Sequence, residues 1–99
     1  MKSLKQFINE GRQYVDEASV NDLVDIVSKR TLANKINLSN ASPYIQIQMI
    51  GEFGQFYQQF VEKISKKYSS EDDEISPSDV KYLENGIDKI CNKYRKYSS

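Results

Sequence analysis

Few residues in this 99-residue chain can do covalent chemistry: it has one cysteine, Cys91, and no histidine. A thiol or hydroxyl nucleophile needs a neighbouring base, most often an imidazole, so these residue types predict no catalytic centre of that kind. The same shortage predicts no zinc site, since tetrahedral zinc draws chiefly on Cys and His. Glu71, Asp72, Asp73 and Glu74 are consecutive acids with charge enough for a calcium ion. They lack the alternating spacing and central glycine that wrap a chain around one. No glycine-rich loop that could cradle a phosphate is present, and no metal or cofactor is expected. The residue types predict a protein that is not an enzyme.

What remains is the chemistry of binding. Lys89, Lys93, Arg95 and Lys96 are interleaved with Tyr94 and Tyr97, and cations alternating with aromatic rings are how proteins hold single-stranded nucleic acid. Both tyrosines also fall on an apolar helical stripe, which predicts that they pack inward. The four cations are therefore candidate contacts either for nucleic acid or for a protein partner. Lys+Arg and Asp+Glu number 14 each, so no overall charge draws the chain to nucleic acid or to an anionic membrane. A single cysteine predicts a reducing compartment. No apolar run approaches the roughly 18 residues of a membrane span.

The elements that must position these residues read as helices. From Ser42-Pro43, a hydroxyl cap followed by a ring suited to the first helical position, apolar residues recur at steps of three and four. Ile45, Met49, Ile50, Phe53, Phe56, Tyr57, Phe60, Val61, Ile64 and Tyr68 fill one arc of roughly 160°. This helix, over 43–68, is expected to be central. Met49, Phe53, Phe56, Tyr57, Phe60 and Ile64 are its expected core, or a face for self-association into a homo-oligomer. Gly51 and Gly54 lie off that arc and are expected to permit a bend or a close approach.

Ser76-Pro77 repeats the start signal. Val80, Leu83, Ile87, Ile90, Cys91, Tyr94 and Tyr97 then share an arc of about 120°, predicting a helix over 77–97 antiparallel to the long one, with Cys91 as a small buried apolar residue. Ser19 with Asp22 three residues on is a variant capping box. It opens a helix over 19–32 with Val20, Leu23, Val24, Ile26 and Val27 inside. Residues 34–42 read as a loop pinned by Ile36 and Leu38, and 69–76 as an acidic connection. Leu4, Phe7, Ile8, Gly11, Tyr14, Val15 and Ala18 share a face, predicting a first helix over 3–17. The expectation is one all-α domain, residues 1–99, of four helices.

The opening residues, Met1 to Gly11, resemble the capsid-targeting leader of internal head proteins of T-even-type tailed phages. Those leaders are short amphipathic helices, cut after a glutamate that has an aliphatic residue two positions before it and a small residue after it. Ile8, Glu10 and Gly11 match those positions. The resemblance implies a small phage accessory protein in the host cytoplasm or the virion interior, acting on a host or phage protein, as in counter-defence. An ordinary first helix is the other reading of the same residues. A protein-binding role is the leading expectation, with a nucleic-acid-binding module or a structural homo-oligomer as alternatives.

Overall fold

The structure, a computed structural model, describes residues 18–99. The expected helix over 3–17, and with it Ile8, Glu10 and Gly11, lies outside the described residues. The rest of the all-α expectation is met by three α-helices: α1 (Leu23–Asn34), α2 (Pro43–Lys67) and α3 (Pro77–Tyr94). Both Ser-Pro pairs act as read from the sequence. Ser42 Oγ accepts from the Tyr44 amide at 3.1 Å and Ser76 Oγ from the Asp79 amide at 3.3 Å, satisfying donors that a helix leaves free at its start.

The ends differ from expectation in physically simple ways. At Ser19 the chain makes a tight 3-10 turn, Val20–Asp22, before α1 begins. Asp22 reaches back to accept from the Ser19 amide at 2.9 Å, half of a capping box. α1 runs on to Asn34, where Lys35 takes a left-handed conformation (φ 55°) and its amide closes on the Leu32 carbonyl. α2 stops one residue early because Tyr68 is extended. α3 tightens after Tyr94 into a 3-10 turn, Arg95–Tyr97, instead of continuing as α-helix.

The long helix is not the centre of the packing. Both α1 and α2 lie against α3 and their backbones do not approach each other. Accordingly α3 holds the best-buried side chains, Val80, Leu83, Ile87, Cys91 and Tyr94, while α2 fully buries only Met49, Phe60 and Ile64. α2 and α3 run antiparallel, since Glu52 meets Lys93, Phe56 meets Gly86 and Lys67 meets Asp79. α2 is longer and more apolar than α3 can cover, so Ile50 and Val61, expected inside, stand exposed. Val24 of α1 and Tyr97 are likewise exposed where burial was expected. Ile36 and Leu38 do pin their loop to the core.

The acidic connection is ordered structure. Asp73 Oδ2 accepts from the amides of Ser69 and Ser70 at 3.0 and 3.1 Å, folding the turn. The turn then clasps the strand-like approach to α1: the Ile75 amide donates to the Ala18 carbonyl at 2.7 Å, and the Val20 and Asn21 amides donate to Asp73 and Glu71 carbonyls. Beneath this clasp Ile75, Ala18 and Val80 form a second small core.

Candidate functional site

Three polar clusters and one apolar face could serve function. The first cluster centres on Asp79, a buried carboxylate at the start of α3. It accepts from Lys67 Nζ at 2.8 Å and Tyr68 Oη at 2.9 Å, with Lys63 Nζ 3.8 Å away. Lys67 holds the carboxyl below its ordinary range, with Tyr68 and Ser76 reinforcing and burial opposing. Both hydrogen bonds fall on Oδ2 and Lys63 stands nearest Oδ1, so the cluster fastens the end of α2 to the start of α3.

The second cluster does the same for α1. Arg30 forks onto Asp88, Nε to Oδ1 at 2.9 Å, and Asn34 Nδ2 donates to the same carboxylate at 2.9 Å. Arg95 then reaches back to the Asn34 carbonyl and Oδ1, both at 3.0 Å. In the third cluster Glu52 of α2 accepts from Tyr94 Oη and pairs with Lys93 Nζ at 2.8 Å. Burial first, and that hydrogen bond second, push the Tyr94 hydroxyl up to about 12. Lys93 and then Tyr94 hold Glu52 below its usual value.

These bonds decide the standing of the basic end. Of its four cations, Lys93 is paired to Glu52 and Arg95 is committed to Asn34 and Asn92. Lys96 lies over the Tyr97 ring at 5.3 Å, and Lys89 is exposed. They do not converge on one site. Tyr94 is buried as expected; Tyr97 leans on it at 6.2 Å between ring centroids. Cys91 is fully buried, its thiol pushed up by burial. Among the described residues no group of three or more acids or thiols stands close enough to hold a metal ion.

The expected core face of α2 is also accounted for within the chain. Met49, Phe60 and Ile64 are buried, and Phe53, Phe56 and Tyr57 are half-buried against the same core. Phe60 stacks with Tyr82 of α3 and Phe56 packs against the same ring at a tilt, with Lys63 over it at 4.2 Å. Phe56 and Phe60 are committed to α3 by these contacts, whereas Met49, Phe53 and Ile64 also border grooves beside α2.

The other flank of α2 is uncovered among the described residues. Tyr44 (83 % exposed), Ile47 (67 %) and Ile50 (69 %) stand in solvent. Beside them, where α1 and α2 diverge, lies a groove of about 320 Å³. Among the described residues Ile36, Leu38, Met49, Ile50 and Phe53 line it, together with the polar Thr31, Ser39 and Gln46. A second groove of about 220 Å³ opens at the far end of the same seam, between Val20, Leu23, Val61 and Ile64. The first groove has no charged residue in its lining, while Glu71 borders the second; an uncharged groove with exposed aliphatic side chains at its lip is suited to receiving an apolar helix or loop. Periodicity alone assigned Ile50 and Val61 to the interior and passed over Ile47. The signal that could have found this face is charge: from Tyr44 to Val61 the only ionised residue is Glu52, and it is turned toward α3.

No family model matches the chain, and neither a curated protein nor a solved structure resembles it significantly.

Proposed function

We propose that this is a non-enzymatic protein-binding domain whose docking surface is the free flank of α2 with the adjoining groove. One observation carries the reading: Tyr44, Ile47 and Ile50 are exposed together on an uncharged face beside an apolar groove. Leaving such a patch in water forfeits about 25 cal/mol for each Å² that a partner would cover. The resemblance of residues 1–11 to a phage head-protein leader adds a setting, a small accessory protein of a tailed phage that acts on a host or phage protein. Binding of nucleic acid is not favoured by the same geometry, because Lys93 and Arg95 are already engaged within the chain.

The test is a photo-reactive amino acid placed at Ile47 in cells producing the protein, with Lys81, exposed on α3, as the control position. Covalent adducts from Ile47 and none from Lys81 are expected. A chain that stays free from both positions would refute the docking surface. Processing is tested separately by intact mass of particle-associated protein: a chain still beginning at Met1 would dismiss cleavage after Glu10.

A further inference from the structure

We propose that the partner on this face is a second copy of the chain, the two α2 helices packing against each other about a two-fold axis. The inference rests on the docking surface above and names what covers it.

Three observations point to self-pairing. Counted from Ile47 at about 100° per residue, Tyr44, Ile50, Gly51, Gly54, Gln58 and Val61 all fall within roughly 60° on either side. That arc contains no charged residue between Tyr44 and Val61. A two-fold contact buries the same patch on both copies, residue i of one against residue j of the other, so the patch must complement itself; a face without charges does so with no ion pair to arrange. Next, the face carries both a ridge (Tyr44 and Ile47) and, beside it, an uncharged groove. A two-fold axis uses that pair twice, ridge of each copy into groove of the other.

The glycines supply the third observation. A glycine in a helix interior costs up to about 1 kcal/mol against alanine. Gly86 offsets this cost inside the chain, because the Phe56 ring occupies the place of its missing side chain, with Cζ 2.0 Å from where a Cβ would stand. Gly51 and Gly54 have no such return: among the described residues nothing lies within 4 Å of either Cβ position. Both sit on the free arc, where missing side chains let a second helix come close, its backbone nearly touching theirs. Of the face that the sequence offered for self-association, Phe56 and Phe60 are instead packed on Tyr82 of α3.

Sedimentation equilibrium of the purified full chain, from about 1 µM to 1 mM, tests this. The mass is expected to rise from 11.5 kDa toward twice that value. Ile47→Glu is expected to return it to a single chain. Gly51→Leu with Gly54→Leu is expected to weaken association by about tenfold or more while helical circular dichroism is unchanged, since among the described residues a Cβ at either position has nothing within 4 Å. A mass of one chain at every concentration overturns self-pairing, as does a double-leucine variant that associates like the parent. The cross-linker at Ile47 separates the two proposals. An adduct of twice the chain's mass supports self-pairing. An adduct to a different protein, with the purified chain monomeric, overturns self-pairing and spares the docking surface; no adduct overturns both.

Discussion

A methyl group added at Gly86 would stand 2.0 to 2.7 Å from three atoms of the Phe56 ring. That ring cannot step aside freely, because Tyr57, Phe60 and Tyr82 pack around it. Gly86→Ala should therefore lower stability by about 1–3 kcal/mol despite alanine's better helix propensity. Gly51→Ala, in open space, should raise it by roughly 0.5–1 kcal/mol; denaturant unfolding at low protein concentration reads both. Asp79 gives a pH-dependent effect. Its carboxyl is held below the ordinary 3.8 in the folded chain, so its contribution is complete above that value and lost as pH falls through the folded one. Asp88, beside Arg30, and Glu52, beside Lys93, shift in the same direction. Asp79→Asn should cost about 1–3 kcal/mol at neutral pH and flatten the acid limb of stability measured by urea unfolding. Tyr94 works at the other extreme. Its hydroxyl is raised from 10 to about 12, so stability is whole below pH 10 and lost as pH rises through about 12. Tyrosinate absorbance should show a late-ionising group that disappears in Tyr94→Phe.

Among the elements, the acidic turn departs furthest from its sequence. As composition it is a polar connection; as structure it is a clasp, with Asp73 folding the turn and the Ile75 amide bonded to Ala18. Ile75→Ala removes a fully buried side chain and should cost about 2–5 kcal/mol. Hydrogen exchange should accelerate first at the Val20, Asn21 and Ile75 amides, whose bonds make the clasp; unchanged protection there would contradict it. The contrast with the helix starts shows what a sequence discloses. Ser42-Pro43 and Ser76-Pro77 act through atoms two or three residues away, so local chemistry identifies them. The clasp joins residues fifty or more apart, and Gly86 matters only because Phe56 faces it. The free face of α2 lies between these cases. Its apolar residues are visible as a pattern, yet which of them are covered depends on how much of a 25-residue helix the 18 residues of α3 can reach.

At the scale of the whole molecule, the order of packing decides which helix carries stability. α2 is the longest and most aromatic helix, and periodicity alone would make it the core. α3 lies between the other two, and its inward side chains are nearly all inaccessible. Leu83, 1 % exposed, touches the core that α1 and α2 share through α3, so Leu83→Ala should cost about 2–5 kcal/mol. For a domain whose total stability is of order 5–15 kcal/mol, that loosens α1 and α2 together, in a single transition. Val61→Ala, on the side of α2 away from α3, should change the unfolding of the monomer by no more than about 0.5 kcal/mol. If a second copy covers α2, the same Val61 change acquires a cost that grows with protein concentration, because association stabilises only the folded chain. Thermal melts of both variants at low and high concentration read this directly. Leu83→Ala should shift the midpoint by a similar amount at each, and Val61→Ala only at the higher one. Equal loss from the two substitutions in the dilute monomer would return the centre of the fold to α2.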